Sequence, residues 1–230
     1  MKSLFVALVL AALAWADGPG VIVSKHSRSD FDLTADPGAK TWRKVPGVIA
    51  ENDVNGKPVP GHRTEIRSRW TKRNLYFLFV CPYEELYLKP GPVTTTSETN
   101  HLWEWDVAEV FIGWELNNIG RYKEFEISPQ GEWIDLDIDR DHPKPVVNWQ
   151  WNSGFQVQTR IDKDRKVWYG EMKIPLEQID RRPPRGGLEF RINLYRIQGP
   201  PPQRKYIAWQ PTYSPSYHTP TAFGRLGLGK

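Results

Sequence analysis

The segment HLWEWDVAEVFIGW, residues 101–114, sets Trp103 and Trp105 around Glu104, follows them with Asp106 and Glu109, and runs into an apolar stretch. Three chemistries suit that set: a carboxylate acid–base pair, a carboxylate metal site, and a flat aromatic platform edged with hydrogen-bond acceptors. A second aromatic stretch, YSPSYHTPTAFG (213–224), carries Tyr213, Tyr217 and His218, punctuated by Pro215 and Pro220. Prolines stiffen such a loop and reduce the entropy lost when it closes on a ligand. A pyranose exposes C–H groups on its faces and hydroxyls on its rim. Indole or phenol rings therefore stack on the face while carboxylates accept hydrogen bonds from the rim. Covering about 50 Å² of apolar face contributes roughly 1.3 kcal/mol at ~25 cal/mol/Å². Two stacks plus a few net hydrogen bonds of about 1 kcal/mol each correspond to micromolar-to-millimolar affinity.

The remaining carboxylates fall in rows. Glu124 and Glu126 lie on one face of their strand, and Asp135, Asp137 and Asp139 on one face of the next. Pairing across the turn at Pro129–Gly131 is expected to crowd all five onto one sheet face, where like charges in register repel. Solvation, ion pairing to Arg191 or Arg67, or a structural calcium held by Asp135, Asp137 and Asp139 would each relieve the repulsion. EF-hand spacing is absent, and the residue types leave the three open. Carboxylates this numerous single out no glycosidase pair, which needs separations of about 5–5.5 or 6.5–9.5 Å across a cleft. No Gly-x-Ser-x-Gly elbow is present, and the five histidines share no zinc-ligand spacing. Met172, between Gly170 and Ile174, reads as core rather than as a haem ligand, and Cys81, after Phe77–Val80, as a buried inert thiol. The expectation is a non-enzymatic protein that requires no cofactor, calcium aside.

The elements that must position these residues are strands. Residues 66–71 and 75–81 form a hairpin signal around Lys72-Arg73-Asn74; 108–114 and 122–128 form a second pair. Residues 132–139 alternate strictly, Ile134, Leu136 and Ile138 against the three aspartates. Further strands are expected over 155–161, 167–174, 188–197, 207–209 and 224–228, with one helical turn over 176–179. Short strands separated by turn chemistry predict an all-β antiparallel sandwich of jelly-roll or immunoglobulin-like type. The Pro/Gly-rich pieces at 182–187 and 199–202 are expected to be surface loops within one domain.

The first sixteen residues, MKSLFVALVLAALAWA, read as a secretory signal: Lys2, an apolar run from Leu4 to Leu13, and an Ala-Trp-Ala cleavage site. Cleavage would leave a single domain over residues 17–230, secreted or periplasmic, with no membrane span in the mature chain. Losing Lys2 lowers the basic count from 31 to 30 against 27 acids, so the net charge falls from +4 to +3. That balance argues against a nucleic-acid partner.

In order along the chain, Trp42, Leu75-Tyr76, WEWDVAEVFI (103–112), YKEFEISPQG (122–131), Ile174-Pro175, Asn193–Arg196, Trp209 and HTPTAFG (218–224) resemble the family 9 carbohydrate-binding modules and their DOMON-like relatives. The resemblance covers nearly all of residues 17–230. It implies a β-sandwich of two antiparallel sheets that clamps a sugar ring, often a reducing end of cellulose or xylan, between two aromatics and carries structural calcium. By that resemblance Trp103 is the first clamp plate, Tyr217 stands where the second tryptophan is expected, and Glu109 contacts the sugar. Trp105 and His218 complete the expected lining. A family arginine falls at Glu126, a reversal of charge. The implied partner is a polysaccharide or oligosaccharide, in support of extracellular carbohydrate catabolism beside a partner glycoside hydrolase. An envelope interaction protein without a sugar ligand and a glycoside hydrolase are the alternative expectations.

Overall fold

Alternation at period two governs nearly every element. The computed structural model describes residues 20–117 and 119–230; the secretory segment expected over residues 1–16, and the cleavage before Asp17, lie outside the described residues. In chain order the strands are β1 (Val21–His26), β2 (Gly47–Ala50), β3 (Thr64–Trp70), β4 (Asn74–Pro82), β5 (Val107–Gly113), β6 (Arg121–Ile127), β7 (Trp133–Asp139), β8 (Val146–Asn148), β9 (Gln156–Asp162), β10 (Val167–Pro175), β11 (Glu189–Gln198), β12 (Lys205–Ala208) and β13 (Gly224–Leu228). Single 3-10 turns occupy Leu102–Glu104, Leu176–Gln178 and Pro220–Ala222. The turn expected after Ile174-Pro175 is present, and β1, β2 and β8 are strands that the sequence reading did not include.

The strands pair in the order β8-β7-β6-β5-β11-β13-β1-β3-β4-β10-β9, with β12 beside β11 and β2 beside β3. All pairings are antiparallel except those of β1. Its residues Val21–Ser24 run parallel to β13, and Lys25 and His26 run parallel to β3. One strand thus belongs to both halves of the sheet, which curls over it into two facing layers. Between the layers Phe77, Phe79, Trp168 and Met172 meet Val110, Ile112, Phe125, Phe190 and Leu194, all fully buried. Burial of each such side chain contributes about 1.5–3 kcal/mol. Met172 and Cys81 are core residues, as expected, and burial pushes the Cys81 thiol up to about 12. Labelling by a thiol reagent at pH 8 is therefore expected to follow global unfolding; rapid labelling of the native protein would contradict this burial.

The outer face of the β3–β4–β10 layer is closed by the chain before β2. Thr34 and Ala35 each donate a backbone N–H to Glu171 Oε2 at 2.7 Å, and Trp42 Nε1 donates to Oε1 at 2.7 Å. Phe31 stacks on Tyr76 with centroids 4.0 Å apart. The outer face of the other layer is built on β5, β6, β7 and β11. No helix among the described residues is long and apolar enough to cross a membrane.

Candidate functional site

Strand parity places the floor of this second face. On β5, Ala108, Val110 and Ile112 enter the core, so Val107, Glu109 and Phe111 point outward. The ladder then writes rows across four strands: Tyr195, Glu109, Glu126 and Ile134 in one, Asn193, Phe111, Glu124 and Leu136 in the next. Three glutamates therefore sit among aromatic and aliphatic neighbours, with Glu109 directly opposite Glu126.

Two chain segments rise from the floor as walls. The loop after β12 is anchored by Asn193, whose Nδ2 donates to the Gln210 carbonyl at 2.8 Å and whose Oδ1 accepts from the Gln210 N–H at 3.0 Å. Tyr195 donates its hydroxyl to the Tyr217 carbonyl at 2.9 Å and stacks on the Tyr217 ring at 4.0 Å and 10°. The opposing segment is the 3-10 turn of Trp103, entered through His101 in a left-handed conformation (φ 60°). Arg204 Nη2 donates to the carbonyls of Trp103, at 2.9 Å, and Trp105. Trp103 packs against His101 and Trp149, centroids 4.9 and 5.8 Å away. Between the walls lies a 460 Å³ cleft bordered by Trp103, Trp149, Tyr206, Tyr217 and His218, with Glu109 and Glu124 on its floor. That volume falls in the range of small-ligand sites.

The floor is electrostatically unusual. Glu109, Glu124 and Glu126 are 2%, 4% and 0% exposed. Burial pushes the Glu109 and Glu126 carboxyls far above the ordinary range, and the neighbouring glutamates add repulsion to each. Burial raises Glu124 to about 7, while a hydrogen bond with Glu126 opposes the rise. Apart from that bond, formed when one of the pair carries a proton, Oε2 of Glu109, Oε2 of Glu124 and both oxygens of Glu126 have no hydrogen-bond partner. His218 gives them no positive charge: burial first, then Arg140, lowers its pKa to about 4. The neutral imidazole meets the Tyr122 hydroxyl through Nδ1 at 2.8 Å and has Nε2 3.9 Å from Glu124 Oε2. Such a surface can stack on a ring and accept hydrogen bonds from it.

The residues singled out in the sequence distribute unequally. Trp103, Glu109, Tyr217 and His218 meet at the cleft, whereas Trp105 does not line it. Trp105 closes the 3-10 turn and serves through its carbonyl, and Trp149 takes the place beside Trp103. Glu124 and Phe111, also lining, follow from strand parity once burial of the face is known. Trp149 and Tyr206 carried no periodic signal.

The expected five-carboxylate face does not form. Across β6–β7, Glu124 pairs with Leu136 and Glu126 with Ile134, while Phe125 faces Asp135 and Lys123 faces Asp137. The glutamates and aspartates thus occupy opposite faces. Asp137 pairs with Lys123 at 2.5 Å, Asp139 with Arg121 at 3.0 Å, and Asp135 accepts the Ser153 N–H at 2.8 Å with Glu98 alongside. Neither arginine named for compensation approaches the glutamates: Arg67 bonds Glu65, Pro37 and Trp42, and Arg191 bonds the Phe223 and Gly224 carbonyls. Asp137 and Asp139 are each ion-paired, and Asp135 bonds Ser153 through Oδ2 while its Oδ1 has no partner beyond Glu98, so the three do not converge on one donor set. No cluster of three or more acidic, histidine or cysteine side chains suited to a metal occurs among the described residues.

The fold is shared with solved carbohydrate-binding structures. A Bacteroides uniformis protein inferred to bind carbohydrate superposes with a TM-score of 0.69 at 14% identity, covering 90% of this chain and 98% of its own. A family 9 carbohydrate-binding module of Caldicellulosiruptor kristjanssonii in complex with glucose gives 0.61 at 13% identity, covering 91% and 96%. The same organism's module in complex with cellotriose gives 0.61 at 14%, covering 91% and 93%. No family model and no curated protein sequence matches this chain.

Proposed function

We propose that this chain binds carbohydrate without transforming it, in the cleft between the Trp103 turn and the Tyr217 loop. The observation that carries the reading is the 460 Å³ cleft that aromatic rings share with buried carboxyls. The likeness of the whole fold to modules solved with glucose and cellotriose supports it. Trp103 and Tyr217 belong to separate aromatic groups on the cleft border, and a pyranose between them would stack on one or both. Glu109 and Glu124 would accept hydroxyl hydrogen bonds from below. The ligand class we favour is a β-linked plant-type chain, cellulose or xylan, or its oligosaccharide ends. The same reading has the protein exported, with a DOMON-like sandwich, serving carbohydrate catabolism alongside a glycoside hydrolase.

Calorimetry with cello- and xylo-oligosaccharides tests it. Wild type should bind one series, and Trp103→Ala should weaken that binding about tenfold, the loss of one stack of roughly 1.3 kcal/mol. Tyr217→Ala should weaken it at least as much, because Tyr195 loses its stacking partner as well. Absence of heat with both series, from protein shown to be folded, would end the proposal.

The buried carboxyls favour one second reading, hydrolysis. A glycosidase sets its two carboxyls on either side of the scissile bond, whereas Glu109, Glu124 and Glu126 are neighbours within one sheet floor. We therefore expect no release of reducing ends from these oligosaccharides. Release that Glu109→Gln abolishes would establish the enzyme instead.

A further inference from the structure

The chain carries 31 lysines and arginines against 27 acids, yet among the described residues none of those basic side chains lines the cleft. Its lining is aromatic and aliphatic, with Glu109 and Glu124 as its acids. Glu109 and Glu124 are more than nine-tenths buried and both face the cleft; Glu109 Oε2 has no hydrogen-bond partner, and Glu124 has only the bond it shares with Glu126 and His218 Nε2 at 3.9 Å from its Oε2. Leaving such groups unsatisfied costs about 1–3 kcal/mol each. Two guanidiniums act on the site through space without lining it: Arg204, whose charge reaches Glu109, gives its donors to the Trp103 and Trp105 carbonyls and lies over the Tyr87 ring at 5.4 Å, and Arg140 acts on His218 and Tyr122. Among the described lining residues the one titratable nitrogen, on His218, remains a neutral imidazole at physiological pH. Trp103, Trp149, Tyr206 and Tyr217 border the cleft, and aromatic rings attract cations over their faces.

Buried carboxyls with no basic side chain lining the cleft beside them, among aromatic rings, leave room for one kind of group, a positively charged donor small enough to reach the floor. A neutral hydroxyl meets a carboxyl with one hydrogen bond. An ammonium brings up to three donors and a charge, and hydrogen bonds between ionised groups are about twice as strong as neutral ones.

We propose that the preferred ligand is an amino sugar, its protonated amine seated over Glu109 and Glu124 while its ring lies against the Trp103 and Tyr217 walls. The proposal rests on the carbohydrate-binding reading and narrows it to the class of saccharides with a free amine. On binding, a floor carboxyl that carries a proton in the free protein releases it to solvent, leaving a carboxylate beside the ammonium.

Three trimers with the same β-1,4 backbone separate the possibilities, because they differ only at C2. Cellotriose carries a hydroxyl there, the glucosamine trimer an ammonium and the N-acetylglucosamine trimer a neutral amide. In calorimetry near pH 6.5 the glucosamine trimer should bind at least about tenfold more tightly than the other two. In Glu124→Gln, close in shape and checked for folding by circular dichroism, that preference should shrink to about twofold or less. Cellotriose binding as tightly as the glucosamine trimer overturns the amine assignment and leaves carbohydrate binding standing. So does a glucosamine preference that survives in both Glu124→Gln and Glu109→Gln. Failure of all three trimers and of the cello- and xylo-series overturns both readings. Binding of n-propylamine without any of the sugars overturns the carbohydrate reading, and the amino-sugar assignment with it.

Discussion

At pH 8 the Glu126→Gln protein is expected to be more stable than wild type by roughly 2 kcal/mol, about 6 °C in Tm for a chain of this size. Both Glu126 oxygens are buried with no partner but the Glu124 carboxyl, and the residue lies directly opposite Glu109. Glutamine keeps the shape, removes a charge, and supplies two N–H donors to the flanking carboxyls. The pH dependence is the sharper test. A carboxyl whose pKa is raised on folding holds its proton in the native state after the unfolded chain has released it. Stability therefore falls as pH rises, by about 1.4 kcal/mol per pH unit for each carboxyl that keeps its proton. Glu124, raised to about 7, contributes up to that point, and Glu109 and Glu126 continue beyond it. Glu98, raised to about 7 by burial and by Asp135, adds the same sign. His218 opposes them, but only below the ordinary imidazole value of 6.5, since its pKa is lowered to about 4. Between pH 6.5 and 8.5 the slope belongs to the carboxyls. Urea melts across that window should show wild type losing stability and Glu126→Gln losing less. A wild-type protein more stable at pH 8.5 than at pH 6.5 would mean that these carboxyls are ionised at no cost.

Strand parity was legible, whereas register and burial were not. The alternation in VAEVFIG, YKEFEI and WIDLDID assigns each side chain to a face of its own strand, and those assignments hold. Whether the glutamates of β6 share a face with the aspartates of β7 depends on the length of the connection, because one residue more or less flips every side chain of the following strand. The connection is Ser128–Glu132, closed by Ser128 N–H to the Glu132 carbonyl at 2.9 Å and by Gly131 at φ 88°. Its odd length pairs Phe125 with Asp135. Composition alone carries no trace of that. Burial of Glu109, Glu124 and Glu126 was hidden for a related reason: carboxylates in a half-polar strand read as solvated until the cover of Tyr217, His218 and Trp103 is known. Trp103 and Tyr217 were legible because aromatics flanked by prolines or acids stand out in polar loops. Trp149 follows the three-residue β8 in a loop without periodicity, so only its contact with Trp103 identifies it. The short β1 was obscured by its parallel partners, which lie far along the chain.

Asp106→Ala should be the most damaging single change in the opening segment, costing about 4 kcal/mol. Fully buried, Asp106 accepts the backbone N–H of Gly199 at 2.6 Å, that of Tyr87 at 3.0 Å, and Gln198 Nε2 at 2.8 Å. Two segments distant in sequence, at Tyr87 and at Gln198-Gly199, are thereby fastened to the start of β5. Its charge also faces Arg196, which is fully buried and bonded to Thr64 at 3.2 Å and to Gln198. Burial outweighs these partners and raises Asp106 to about 6, so above that pH it is the anion that compensates the Arg196 guanidinium. Alanine would strand two N–H groups and a buried cation together, and cost several kcal/mol because removing one partner leaves the other uncompensated. Asparagine keeps one acceptor and loses the charge, so Asp106→Asn should lie between, near 2 kcal/mol. The damage should reach the cleft as well, since Arg204, which holds the Trp103 turn by its carbonyl, leaves the same β11–β12 connection that Asp106 fastens through Gly199. Chemical denaturation measures the first effect and oligosaccharide affinity in the still-folded Asp106→Asn protein the second. A cost below about 1 kcal/mol for alanine would show that water replaces the carboxylate, and that Arg196 is compensated by something other than Asp106.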